Sequence, residues 1–208
     1  MLKFPLPVLG FAAFSGSGKT TLLKKLLPVL VERGLRVAVV KHAHHAFEVD
    51  HPGKDSYELR KAGAAPMLIA SANRMAMMLD FPQEPSFPKE PDLAEMIDFL
   101  PQHRLDAVLV EGFKAEHFPK IEVYRPATGK PLMAQSDANI IAIATDEPTV
   151  VTNKMADVAE AMADTNIADA NSQIPQDSAL KILDLNHCET VADFVIEQIR
   201  LQTQKLKK

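Results

Sequence analysis

Residues 13–20, AFSGSGKT, carry the groups that a polyphosphate site requires. Such a site needs backbone N–H groups wrapped around an anion, a lysine that reaches the outer phosphates, and a hydroxyl that binds Mg²⁺. Gly16 and Gly18 let the backbone close around the anion. Lys19 supplies the cation, and Thr20 supplies the hydroxyl. The stretch therefore predicts a loop that binds the phosphates of a nucleotide together with Mg²⁺.

The predicted elements on either side of this loop agree with that interpretation. An apolar run at 8–14 leads into the glycines, as a buried parallel strand does. Leucines that recur every four residues after Lys19 predict a helix that ends at Gly34, with a kink or a lost hydrogen bond at Pro28. The N-terminus of such a helix binds anions. Ala13 replaces the first glycine of the usual pattern G-x-x-x-x-G-K-[ST], but the glycines closest to the phosphates are kept.

An acidic residue ends the next apolar run, LDAVLVEGF at 105–113. Ligands of open α/β sheets bind at the carboxyl ends of the parallel strands, and an acidic residue there can orient the attacking water or a metal ion. Glu111 is in that position, whereas Asp106 is at the opposite end of the same strand. Glu111 is therefore the predicted catalytic residue together with Lys19, and a predicted metal ligand together with Thr20.

A polar loop at 42–55 follows the second predicted strand and contains four histidines, His42, His44, His45 and His51. Three interpretations are open. The histidines can bind a transition metal, Asp50 can assist Mg²⁺, or the imidazoles together with the lysines, Lys41 and Lys54, can receive a nucleotide or a second anionic ligand. The alternative to all three is a solvated polar loop. The histidine spacing matches no zinc pattern and no cysteine is nearby, so we favour the anion, with His44 and His45 as its ligands.

Two stretches are candidates for recognition of the nucleobase. The sequence NKMAD at 153–157 is similar to the guanine-reading pattern Asn-Lys-x-Asp, but it has one residue too many. Asp146 follows a long apolar strand, where a carboxylate can accept hydrogen bonds from N1 and N2 of guanine. We prefer Asp146, and the alternative for it is a helix-capping or turn aspartate.

Composition limits the class of protein. The 208 residues, of which 47% are hydrophobic, suit one α/β domain with a full core. The formal net charge of −4 gives no electrostatic case for binding nucleic acid. No stretch approaches the ~20 apolar residues of a membrane span. The single cysteine, Cys188, allows no internal disulfide, so we expect a reducing compartment, the cytoplasm.

The order of the predicted elements indicates a three-layer α/β domain of the P-loop NTPase type, with a mostly parallel sheet and an added hairpin. After the first strand, loop and helix, we expect further strands at 35–42, 105–113, 120–126, 139–148 and 180–186. Helices are expected at 54–64, 92–100 and 189–208. Two apolar runs around a Ser-Ala-Asn-Arg turn predict a hairpin near 66–80. The segment at 147–179 has little periodicity, and we expect an irregular insertion with one short helix.

Five stretches together resemble the MobB family, the molybdopterin-guanine dinucleotide biosynthesis protein B family. They are FAAFSGSGKTTLLKKLLP, VKHAHHAFEVDHPGKDSYELRKAGA, LDAVLVEGFK, KIEVYR and LDLNHCETVADFVIEQI. The resemblance covers most of residues 6–146 and 180–200. The chain departs from the family around 147–178, which is longer than expected, and this affects the surroundings of Asp146.

The resemblance implies a GTP-binding adapter with weak GTPase activity. Its partner is the molybdenum cofactor guanylyltransferase, which attaches GMP to molybdopterin. Carried onto this sequence, the residues that hold GTP and Mg²⁺ are Gly16, Ser17, Gly18, Lys19, Thr20 and Thr21, and Glu111 and Gly112 flank the γ-phosphate. The histidine-rich loop would face molybdopterin or the partner enzyme. A homodimer is also implied, and the hairpin favours it because its apolar residues are too closely spaced for one buried face.

A small-molecule kinase is the alternative function. It would use the same glycine loop, with Glu111 as the base. Such a kinase usually needs a lid with arginines over the phosphates. Arg60, Arg74 and Arg104 do not cluster in the sequence, so the adapter is favoured.

Overall fold

The structure is a computed structural model that describes residues 4–43, 47–81, 90–164 and 180–207, with side chains in the fourth helix described to residue 156. In chain order its elements are β1 (Val8–Ala12), α1 (Lys19–Glu32), β2 (Val37–Lys41), α2 (Asp55–Lys61), β3 (Met67–Ala70), β4 (Met75–Met78), α3 (Leu93–Asp98), β5 (Ala107–Glu111), β6 (Lys120–Tyr124), β7 (Ile140–Thr145), α4 (Pro148–Asp164), β8 (Lys181–Asp184) and α5 (Cys188–Leu206). The chain forms two compact units, Met1–His42 with Asp92–Lys208, and Ala43–Pro91. That the whole chain is one domain stays a prediction.

A six-stranded sheet is the centre of the first unit, with the strand order β2-β5-β1-β6-β7-β8. All of its neighbouring strands pair in parallel. The leucines of α1 and the apolar side of α5 cover one face of the sheet, and α3 and the start of α4 cover the other. The predicted α/β fold with a parallel sheet is confirmed. Because the strands are parallel, the loops after their carboxyl ends lie along one edge.

Helix α1 follows the glycine loop and is continuous from Lys19 to Glu32. Its leucines at positions 22, 23, 26 and 30 are buried, which explains their spacing. Pro28 is exposed and lies inside the helix without ending it, because the packed leucines on either side hold both halves on the sheet. Gly34, with φ of 84°, ends the helix as predicted, and its N–H donates to the carbonyl of Val31.

The second unit contains α2 and the antiparallel hairpin of β3 and β4, which the sequence predicted. Ser71 and Arg74 close the turn, with the Ser71 N–H 2.8 Å from the Arg74 carbonyl oxygen. Arg60 of α2 is buried, and its guanidinium pairs with Glu48 at 2.7 Å and Asp80 at 3.0 Å. These pairs explain how a buried arginine is tolerated inside the unit.

The segment after Asp146 differs from the sequence prediction. In place of one short helix in an irregular insertion, the structure has the 17-residue helix α4 from Pro148 to Asp164. Threonine, asparagine and aspartate have weak helix propensity, so the sequence of this segment did not predict a long helix. Val151 is fully buried and anchors the helix in the core. The NKMAD stretch lies inside α4, so it is not a loop of the Asn-Lys-x-Asp kind. Residues 165–179 lie outside the described residues.

Within the described residues, no helix is both long and apolar enough to span a membrane.

Candidate functional site

The glycine loop connects β1 to α1 and has the backbone geometry of an anion cradle. Gly16 and Gly18 have φ of 84° and 89°, values that side-chain-bearing residues rarely adopt. Gly18 is the N-cap of α1, and among the described residues no side chain caps this N-terminus or places a carboxylate in its first turn. The first N–H groups of α1 are therefore left for an external anion. Ser17, between these two glycines, is buried.

Glu111 lies directly beside this loop. It ends β5 and pairs in register with Phe11 of β1, the strand that leads into the loop. Its Oε1 is 3.4 Å from Nζ of Lys19 and 3.6 Å from Nζ of Lys41. The structure thus brings the two predicted catalytic residues together. The contact of Lys41 with Glu111 was not predicted, although Lys41 ends a parallel strand as Glu111 does and pairs with it in register.

The backbone after Glu111 turns tightly. Gly112 has φ of 90°, and a Cβ at this position would come within 2.7 Å of the Cβ of His42. Phe113 also has a positive φ, 49°, and its ring packs 5.0 Å from the imidazole of His42. The His42 N–H donates to the Glu111 carbonyl at 2.8 Å. The position of Glu111 is therefore fixed by a turn that only glycine fits at residue 112.

Asp106 is at the opposite end of the same strand, as the sequence indicated. Its carboxylate accepts hydrogen bonds from the guanidinium and the backbone N–H of Arg36, at 2.8–3.0 Å. These hydrogen bonds hold the pKa of the Asp106 carboxyl below its ordinary value. Asp106 is thus a structural residue that links the start of β5 to Arg36, the residue before β2.

Arg125, which was not among the predicted site residues, connects Asp146 to the glycine loop. It follows β6, and its guanidinium forms an ion pair with Asp146, which follows β7. Its Nε donates to the carbonyl oxygen of Ser17 at 3.2 Å. A signal existed in the sequence, because KIEVYR places this arginine at the carboxyl end of a predicted strand, where ligands of parallel sheets bind.

Residues after β8 approach Asp146 from the other side. The side-chain amide of Asn186 donates to the main-chain oxygen of Asp146 at 3.4 Å. The carboxylate of Asp184 accepts from the Asn186 N–H at 2.8 Å and contacts the His187 ring at 2.9 Å. The backbone hydrogen bond, followed by that of the imidazole, lowers the pKa of the Asp184 carboxyl. Polar groups that can contact a nucleobase therefore meet at the ends of β7 and β8.

The remaining predicted ligands belong to different parts of the chain, and their roles stay predictions. Thr20 and Thr21 begin α1 and are exposed, while His44 and His45 lie outside the described residues. Asp50 belongs to the second unit, where its Oδ1 accepts from the N–H of His51 at 2.9 Å and the hydroxyl of Ser56 at 3.1 Å. Within the described ranges, no three histidine, cysteine or acidic side chains are grouped as a metal site.

Sequence relatives point to one family. The family Molybdopterin guanine dinucleotide synthesis protein B, MobB, matches residues 8–146. A molybdopterin-guanine dinucleotide biosynthesis adapter protein from Escherichia coli (strain K12) is 42% identical over 201 residues, which are 96% of this chain and 97% of the relative. A protein of the same name from Haemophilus influenzae is 41% identical over 153 residues, 74% of this chain and 82% of the relative.

Solved structures agree in fold. The crystal structure of a molybdopterin-guanine biosynthesis protein B shares 26% identity, covers 91% of this chain and 98% of its own, and has a TM-score of 0.58. A MobB homologue from Bacillus stearothermophilus, at 23% identity and a TM-score of 0.57, covers 93% of this chain and 98% of its own. The glycine loop, the parallel sheet and these similarities over most of the sequence lead to one conclusion: the chain belongs to the MobB family.

Proposed function

We propose that this protein is a GTP-binding adapter in the biosynthesis of molybdopterin guanine dinucleotide, with weak GTPase activity. Its partner would be the guanylyltransferase that attaches GMP to molybdopterin, in the cytoplasm. The adapter role follows the names of the relatives from Escherichia coli and Haemophilus influenzae. The observation that carries nucleotide binding is the uncapped N-terminus of α1 behind two glycines of positive φ, with Lys19 at its start.

The ion pair of Lys19 with Glu111 indicates how the triphosphate would be received. In the structure the Lys19 ammonium contacts the Glu111 carboxylate. A phosphate is also an anion and would take the place of this carboxylate as the partner of Lys19. On binding, Lys19 would turn to the outer phosphates, and Glu111 would orient the attacking water. Mg²⁺ prefers oxygen ligands, and the Thr20 hydroxyl and the Glu111 carboxylate would supply them. Bound Mg²⁺ would neutralise charge on the phosphates.

Asp146 would select guanine. The Asp146 Oδ1 is buried and has no hydrogen-bond partner among the described residues, while Oδ2 pairs with Arg125. An unpaired buried carboxylate oxygen is costly unless a ligand satisfies it. Guanine offers two donors on one edge, N1–H and the N2 amino group, whereas adenine has an acceptor at N1. The free oxygen of Asp146 therefore supports a preference for GTP.

The arrangement of Arg60 supports the adapter over the small-molecule kinase. A kinase lid would need an arginine that is available to the phosphates. Arg60 is buried and both of its acidic partners, Glu48 and Asp80, belong to its own unit. The histidine-rich loop, including His44 and His45, is proposed to face molybdopterin or the transferase on the basis of the family resemblance.

The adapter role is tested by reconstituting GMP transfer. The guanylyltransferase, molybdopterin and Mg²⁺-GTP are mixed with and without this protein, and formation of the dinucleotide is followed. We expect the wild-type protein to accelerate transfer, and the Lys19→Ala variant to lose this effect. No acceleration by the wild-type protein would contradict the adapter role, even if GTP binding is measured.

The exposed hairpin leads us to propose a homodimer. In the structure of one chain, Leu68 and Met77 are cross-strand partners on one face and are 53% and 41% exposed, and Met75 is 67% exposed. Ile69, on the opposite face, is 39% exposed. A hairpin with apolar residues exposed on both faces is a surface that a second copy can cover.

Changing Met75 and Met77 together to lysine is expected to convert the dimer into a monomer at micromolar concentration, measured by light scattering. The physical reason is that the charged side chains would have to be desolvated at the interface. Val150→Lys is the matched control, because Val150 is 46% exposed on α4. A wild-type protein that is already monomeric would contradict the homodimer.

A further inference from the structure

Arg125 is the point at which the phosphate loop and the proposed base-reading residue meet. Its Nε donates to the Ser17 carbonyl, and its Nη1 pairs with Oδ2 of Asp146. Ser17 and Asp146 are far apart in the sequence, and one planar guanidinium contacts both. A change in the position of either group therefore acts on the same side chain.

The sheet dictates this juxtaposition. Tyr124 of β6 and Thr145 of β7 are register partners in parallel strands, so the residues that follow them leave the sheet side by side. The backbone of Arg125 is held in place, because its carbonyl accepts hydrogen bonds from the Thr128 N–H at 3.0 Å and the Thr128 hydroxyl at 2.8 Å. The guanidinium is thus directed by a fixed backbone, although the side chain is 39% exposed.

The guanidinium also lies close to Gly18, the last residue of the glycine loop before α1. A Cβ added at Gly18 would be 3.3 Å from Nε and 3.5 Å from Nη2 of Arg125. Gly18 is the N-cap of α1, so its backbone precedes the N–H groups that would contact the phosphates. Movement of Arg125 would therefore alter the loop at its anion-binding end.

The charges of Arg125 and Asp146 also connect the two sites. Arg125 neutralises Asp146, whose carboxylate would otherwise stand unpaired near an anion site. The other oxygen of Asp146 has no hydrogen-bond partner among the described residues and is the atom left for a base. A base that binds this oxygen would hold the carboxylate in place, and with it the guanidinium that supports the Ser17 carbonyl.

We propose that Arg125 is a positioning residue that couples Asp146 to the phosphate loop, so that binding of the base and binding of the phosphates assist each other. The inference rests on the proposed GTP-binding function. It adds that Asp146 influences phosphate affinity even when the ligand has no base, because it anchors Arg125. Direct repulsion between Asp146 and the phosphates would also act without a base, but its removal in Asp146→Asn would strengthen phosphate binding rather than weaken it.

A double-mutant cycle separates the two effects. The affinity for Mg²⁺-tripolyphosphate, which has no base, is measured by calorimetry for the wild type, Asp146→Asn, Arg125→Met and the double variant. We expect Asp146→Asn to weaken tripolyphosphate binding by about threefold to tenfold, a moderate coupling between neighbouring residues. In the Arg125→Met background the same change is expected not to weaken binding, because there is no guanidinium to anchor and loss of the unpaired carboxylate only relieves repulsion.

The cycle is repeated with Arg125→Lys, which keeps the charge but loses the planar fork, so the coupling is measured even if the methionine variant does not fold. Lysine is expected to behave as methionine does, because the link requires two directed hydrogen bonds. An equal effect of Asp146→Asn in every background, or no effect in any, would overturn the coupling while leaving GTP binding intact. A wild-type protein that binds neither GTP nor tripolyphosphate would overturn both proposals.

Discussion

Replacing Lys19 with alanine is expected to weaken binding of Mg²⁺-GTP by at least about tenfold, the effect of losing one charge-assisted hydrogen bond to a phosphate. Lys19 is the cation of the glycine loop. In the structure its ammonium lies 3.4 Å from the carboxylate of Glu111, which is itself partly exposed. The side chain is not part of the hydrophobic cluster that the buried leucines of α1 form with the sheet, so the fold should be kept. Calorimetry gives the affinity, and thermal unfolding checks the fold.

Lys24→Ala is the control for this experiment. Lys24 is on the same helix and is exposed, and its removal takes away an equal charge without touching the loop. Its affinity for GTP should match that of the wild type. Equal affinities for the Lys19 and Lys24 variants would mean that the glycine loop is not the phosphate site.

Glu111→Gln is expected to slow GTP hydrolysis by about a hundredfold while changing GTP affinity much less, because the lost Mg²⁺ ligand is offset by the lost competing anion. The amide cannot accept a proton or attract Mg²⁺ as the carboxylate does. It also releases Lys19 and Lys41 from a competing anion, since both ammonium groups are within 3.6 Å of the carboxylate. Single-turnover hydrolysis and calorimetric titration measure the two quantities separately.

Asp106→Asn, at the other end of the same strand, is the matched control. Its partner is Arg36, so the substitution affects a structural ion pair and should leave the hydrolysis rate as in the wild type. A Glu111→Gln variant with the full rate would move the role to another acidic residue, and Asp50 is then the next to test.

The glycine loop could be predicted from the sequence because its signal is local. Two glycines, a lysine and a threonine stand within a few residues, and the flanking strand and helix have strong apolar patterns. Glu111 and Asp146 followed from the rule that ligands bind at the carboxyl ends of parallel strands. The hairpin followed from the four-residue turn between two apolar runs.

Other features depend on contacts between distant residues, which a single sequence does not display. The partners of Arg125 are 108 and 21 residues away in the chain, so its role emerges only when β6 lies between β1 and β7. Helix α4 is longer than predicted, because the packing of Val151 and Met155 on the core outweighs the weak helix propensity of their neighbours. Likewise, apolar spacing does not reveal that the hairpin belongs to a separate compact unit.

The most direct test of a guanine-nucleotide adapter is a calorimetric titration of the wild-type protein with GTP and with ATP, each with Mg²⁺. The loop residues should bind the phosphates of both, while the free oxygen of Asp146 favours guanine. We expect GTP to bind at one site per chain, with ATP at least about tenfold weaker, the discrimination that unpaired buried polar groups impose. Equal binding of the two nucleotides would contradict guanine recognition, and the absence of binding by either would contradict the nucleotide site itself.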